Sequence, residues 1–212
     1  RTFAQARRLY MDQVHAAAAG MGALETTYQN PFHLNLLNPA SLANLQSTSF
    51  EVGTYARNSS ITDSKGSATS WEGNLRYLAL GFPLRNPINL NLERQQNSWN
   101  GGMAFSLAPT SVVGYDLALV TEDPDFGITS NTLKGNGGAY RFTWSTAFRY
   151  RYLSLGVNMN YNFGKITNSR ILTFDDIDEA LASEFLEDFS IGGLNIGYGV
   201  QYNYNFKKAN EE

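Results

Sequence analysis

The chain holds few residues whose spacing suits reaction chemistry. It has two histidines, His15 and His33, eighteen positions apart, with no serine or aspartate in a triad-like frame around either. Cysteine is absent, which removes thiol catalysis, thiolate zinc sites and disulfides together. Asp175, Asp176 and Asp178 would attract a cation, but the stretch lacks the glycine and ligand spacing of a calcium loop. Ile177, Leu181, Phe185 and Leu186 recur there at helical spacing and predict a short amphipathic helix. Glu122, Asp123 and Asp125 add a second acidic group. The expectation is a protein that is not an enzyme, with no metal and no cofactor.

Two other features carry more. Arg141, Arg149 and Arg151 share one parity, so a strand would line them on one face, where Arg141 could meet a carboxylate. Pro109 interrupts a long apolar alternation and cannot donate to a ladder, so pairing is expected to open around Ala108, Pro109 and Ser111. The net charge of −3 and the lack of a basic run argue against nucleic acid as a partner.

The elements that must position these residues are strands. Leu153, Leu155, Val157, Met159, Tyr161 and Phe163 alternate with Ser154, Gly156, Asn158, Asn160, Asn162 and Gly164. The same period of two returns from Leu194 to Phe206, from Tyr140 to Tyr150, and from Met103 through Leu107 to Leu119. Weaker versions cover Phe50 to Arg57 and Trp71 to Leu84. Six strands are expected at roughly 47–57, 71–84, 99–121, 138–151, 153–166 and 188–206, with loops at 58–70, 122–137 and 167–187. A sandwich would alternate too, but its strands are usually about five or six residues long. The polar face here is Asn, Gly, Ser and Thr rather than Lys and Glu.

No run approaches the length of a transmembrane helix, so membrane residence would have to be through strands. The expected fold is all-β, an antiparallel transmembrane β-barrel in a bacterial outer membrane, with Tyr140, Phe142, Trp144, Phe148 and Tyr150 facing lipid. Six strands are fewer than the smallest such barrels contain, so the wall at 47–212 reads as the N-terminal portion of a longer barrel. Residues 7–46 show no period of two and carry Asn30-Pro31 and Asn38-Pro39. Residues 1–46 therefore read as a plug, with Asn38, Pro39 and Ala40 near the wall.

Gly20-Met21-Gly22-Ala23 followed by Asn38-Pro39-Ala40-Ser41-Leu42-Ala43 resembles the opening of the long-chain fatty-acid transporter family of outer-membrane barrels, including its Bacteroidota branch related to type IX secretion subunits. Ala23-Leu24 and Ser41 stand where that family has glycines. The resemblance implies a plugged barrel, passive transport of a hydrophobic molecule such as a fatty acid, and lateral exit at a kinked third strand, where Pro109 lies. The alternative is an anchor or partner subunit of a secretion or surface protein complex.

Overall fold

The structure is a computed structural model, and it describes residues 26–63, 66–85, 92, 99–123, 127–174 and 183–203. Six strands, β1 (Ser49–Asp63), β2 (Gly66–Pro83), β3 (Trp99–Asp123), β4 (Gly127–Tyr150), β5 (Leu153–Phe174) and β6 (Ser183–Tyr202), form one sheet in the order β1-β2-β3-β4-β5-β6. Each strand follows its predecessor as a neighbour. The β4–β5 turn is the two residues Arg151 and Tyr152, with Arg151 at a φ of 53°.

Two expectations are corrected here. Among the described residues β1 and β6 do not pair, so the sheet is open and the transmembrane β-barrel is overturned. Alternation records that a strand has two unlike faces; it carries no information on whether the outer strands of a sheet meet. The strands also run far into the stretches expected as loops at 58–70, 122–137 and 167–187. Ser59↔Ser70 and Ile61↔Ala68 are paired there, because Ser, Thr and Asn join a ladder once a neighbour supplies the hydrogen bonds. Phe185 and Leu186 belong to β6, not to a helix, while residues 175–182 and Asp125 lie outside the described residues.

The chain divides into two compact units. The larger holds residues 12–108, 141–161 and 194–212, and its sheet has unlike faces. Leu153, Leu155, Val157, Met159 and Tyr161 on β5 are exposed, whereas Ser154, Gly156 and Asn158 between them are buried. β2 does the same, with Leu78 and Leu80 exposed and Tyr77 and Ala79 buried. What covers the small-residue face is the segment 26–46. Leu34, Leu36, Leu42, Ala43 and Leu45 pack there with Tyr77, Ala79, Ala104, Ala108 and Ala147, and this cluster is the hydrophobic core.

The smaller unit holds residues 1–11, 109–140 and 162–193. Within it Tyr140 stacks on Phe163 at 6.0 Å, and Lys134 pairs with Asp116 at 3.3 Å. The Tyr115 hydroxyl donates to Asn168 Oδ1 at 3.1 Å.

Along β3, Ala104, Ser106 and Ala108 are buried in the larger unit, and in the smaller unit Val113 is buried while Gly114, Asp116, Ala118 and Val120 are exposed. Pro109, which has no backbone donor, is itself buried.

Candidate interaction site

The segment 26–46 is shaped by its asparagines. Asn35 Oδ1 accepts from the backbone N–H groups of Leu37 and Asn38, both at 3.0 Å, which turns the chain ahead of Pro39. Asn38 then caps the 3-10 helix Pro39–Asn44, its Oδ1 accepting from Ala40 N at 3.1 Å. Ser41 Oγ donates back to the Asn38 carbonyl at 2.8 Å, and Asn38 Nδ2 donates to the Thr26 carbonyl at 2.8 Å. Gln46 N donates to the Pro31 carbonyl at 2.9 Å and closes the segment.

The sheet admits this segment because its covered face is cut down to glycine where the segment comes closest. A Cβ on Gly102 would overlap the Leu42 carbonyl, one on Gly156 the backbone of Pro39 and Ala40, and one on Gly199 the Asn38 side chain. Gly81 does the same for the Leu34 side chain. Backbone approaches side chain-free strand here, which only glycine permits. Asn38, Pro39 and Ala40 are accordingly buried between β5 and β6.

Polar ties complete the seat. Glu51 Oε1 on β1 accepts from Leu34 N at 2.9 Å and lies 3.2 Å from His33 Nδ1. Ser49 Oγ donates to the Phe32 carbonyl at 2.8 Å. Arg149 on β4 donates through Nη1 to Asn44 Oδ1, and through Nη2 to the Asn100 carboxamide oxygen at 2.7 Å in the amide orientation that satisfies both of its polar atoms. Desolvation in this half-buried position pulls the Arg149 pKa below its ordinary value. The polar parity of Arg149 allows either an inward-facing arginine or one that snorkels to a membrane interface, and the second reading, which the sequence favours, gives way here to ties with Asn44 and Asn100. Its partner Asn44 lies 105 positions away and could not be read from spacing.

The other sequence-marked residues are not gathered into one site. Ala108 belongs to the core. Pro109 is fully buried, and next to it Thr110 Oγ1 donates to the Ala139 carbonyl at 3.1 Å. The Ser111 carbonyl lies against Gly138. The described register of β2 with β3 runs from Pro83↔Gly102 to Leu78↔Leu107. Arg141 sits half-exposed on β4. His15 lies outside the described residues, and His33 is engaged with Glu51. Among the described residues no group of three or more His, Asp or Glu is placed to hold a metal ion.

The opposite face is a surface of large apolar side chains. On β4 Phe142, Trp144 and Phe148 are 42%, 40% and 49% exposed. Phe142 stacks on Phe105 at 6.3 Å, and Phe148 on Trp99 at 5.4 Å. An apolar expanse of this kind exceeds what a monomer surrounded by water normally shows, so it marks contact with lipid or protein. No helix among the described residues is long and apolar enough to cross a membrane, which says nothing of strands.

In the larger unit the sheet is covered by residues 26–46 on its small-residue face and exposes large apolar side chains on the other. The chain belongs to the BamG family, whose model matches residues 11–211. BamG proteins are outer-membrane-associated components of a multiprotein assembly complex, so this is an outer-membrane-associated protein with protein partners. Neither a curated protein nor a solved structure matches the chain. The family match replaces the fatty-acid transporter resemblance, whose two short motifs cover a small part of the chain, and with the open sheet it overturns plugged-barrel transport with lateral exit. The porin-like and lipid-transport readings fall with it.

Proposed function

We propose that this chain is a non-catalytic partner subunit of an outer-membrane assembly complex. The polar face, locked under residues 26–46, supplies rigidity. The edges β1 and β6 engage protein partners, and the apolar face lies toward outer-membrane lipid. The observation that carries the reading is β6. Among the described residues it borders the sheet, and its residues from Ser183 to Ile196 are exposed on both faces. Among the described residues no strand pairs with the outer side of β6, whose charged residues Glu184, Glu187 and Asp188 lie in its first six positions, while from Phe189 to Tyr202 it has no charged residue and no proline to discourage strand pairing. Family membership supplies the context of a multiprotein complex.

Photocrosslinking tests it. A photoreactive residue at Ile191 or Leu194 on β6 should yield adducts with other subunits of the assembly complex, identified by mass spectrometry from outer-membrane extracts. The same residue at the buried position Ser145 should yield none. Equal adducts from both positions, or none from β6 while the complex is intact, would sink the proposal.

A further inference from the structure

A polar row crosses the larger unit at its turn end. The two-residue turn Arg151–Tyr152 sets Tyr150 opposite Leu153, and so Arg149 on β4 opposite Ser154 on β5. Asn203 N donates to the Tyr152 carbonyl at 2.8 Å, which in turn brings Gln201 on β6 opposite Ser154. Opposed residues point to the same face, so Arg149, Ser154 and Gln201 share the face of Ala147, which residues 26–46 cover. The hydrogen bonding of this row is incomplete. Arg149 gives one N–H to Asn44 and one to Asn100, both neutral carboxamides, and a guanidinium carries more donors than these. Among the described residues no carboxylate pairs with it, and burial alone pulls its pKa down. Ser154 is 0% exposed and its hydroxyl has no partner, and the Gln201 carboxamide oxygen is also buried without one. A half-buried cation, a donor and an acceptor thus lie along one row, and each raises the free energy until it is met.

We propose that Arg149, Ser154 and Gln201 form a receptor for the carboxylate of an acidic residue on a partner subunit. Arg149 and Asn44 are both half-exposed, so the approach is from solvent at this end of the sheet. The carboxylate takes the guanidinium fork as the Asn44 side chain turns aside, and the Ser154 hydroxyl donates to it. The Gln201 oxygen accepts the peptide N–H beside the acid. A single guanidinium balances a single negative charge, so a planar carboxylate suits the row better than a phosphate dianion, which also brings no N–H. A phospholipid suits it less again, because Phe148 and Tyr150 expose the apolar surface on the opposite face, where the acyl chains would have to lie. The proposal rests on the partner-subunit reading above, and names the chemistry by which one partner is held.

The test titrates the full chain in detergent with N-acetyl-aspartate methylamide, following the Arg149 Nε–H signal by NMR. The compound should shift that signal saturably, whereas the asparagine analogue, equal in shape and uncharged, should not. S154A should bind the aspartate compound about tenfold more weakly, as expected when a hydrogen bond to a charged group is lost. Its thermal melt should match the parent, because the hydroxyl makes no hydrogen bond in the free chain. In outer-membrane extracts, complex subunits held by S154A should wash off at lower salt than those held by the parent. Equal binding of the asparagine analogue overturns the proposal, as does unchanged binding by S154A or a sharply lowered melt. Tighter binding of inorganic phosphate would assign the site to a free anion and overturn it as well, and equal release salt would overturn the partner assignment. Crosslinking from β6 reads the partner role separately, so a failure here leaves that result standing.

Discussion

The Tyr115 hydroxyl on β3 donates to the Asn168 carboxamide on β5 across 3.1 Å, reaching over the strand between them. The reach is possible because β4 offers Gly135 beneath the ring, where any Cβ would overlap the Tyr115 side chain. Gly135→Ala should therefore destabilise the chain by about 1–3 kcal/mol, the usual range for overpacking. Gly114→Ala, where a Cβ meets nothing within 4 Å, serves as the control with a change within about 0.5 kcal/mol. Denaturant unfolding of the two variants decides it, and equal midpoints would remove the crossing.

Burial along β3 has its own readout. Single cysteines placed from 103 to 108 should react with a maleimide faster at odd positions, because Ala104, Ser106 and Ala108 are buried. In the smaller unit a cysteine at 113 should react more slowly than one at 114 or 116. Uniform reactivity within either stretch would contradict the burial described.

Docking of the N-terminal segment depends on Leu42, which is 2% exposed in the core, while Leu37 is 54% exposed on the same segment. Leu42→Ala should cost about 2–5 kcal/mol through lost burial and a residual cavity. Leu37→Ala should change stability little. Hydrogen exchange would then speed up across residues 34–45 in the first variant alone.

The same seat can be loosened from the sheet side. Gly156→Ala forces a methyl into the Pro39 backbone and should cost about 1–3 kcal/mol. Arg149→Met removes the ties to Asn44 and Asn100 while keeping the stem, leaving polar groups without their partner at about 1–3 kcal/mol. Limited proteolysis within residues 26–46, slow in the parent, is the measurement for both.

Asp188 provides the pH dependence. The Thr167 hydroxyl and then the Lys165 ammonium, bonded at 2.6 Å and 2.9 Å, hold its carboxyl below the usual aspartate value. A depressed carboxylate contributes stability above the unfolded pKa, and loses it as pH falls through the lower folded pKa. The NMR titration midpoint of Asp188 should thus lie below that of an ordinary aspartate. Thr167→Val should raise it more than Lys165→Met, following the order of the two causes. A midpoint unmoved by Thr167→Val would contradict the assignment.

Some of this was settled by the sequence alone. A period of two is a local property, fixed by the opposite directions of successive side chains. It marked Leu153 to Phe163 and Leu194 to Phe206 as strands with one apolar and one small or polar face, the last three residues lying outside those described. Asn38-Pro39 likewise announced a turn from the chemistry of two neighbouring residues, whereas the cap that Asn38 gives to Pro39–Asn44 came only with the structure. Strand ends were misplaced because Ser, Thr and Asn at 58–70 take their conformation from the partner strand, which a local reading does not contain. The order of the described strands, with β1 and β6 at the borders of the sheet, the meeting of Arg149 with Asn44 and the glycine floor under Leu42 all depend on residues far apart in the chain. Only the tertiary structure decided these, because hydrogen-bond partners and steric gaps are fixed by which surfaces meet, whereas alternation fixes only which side each residue faces.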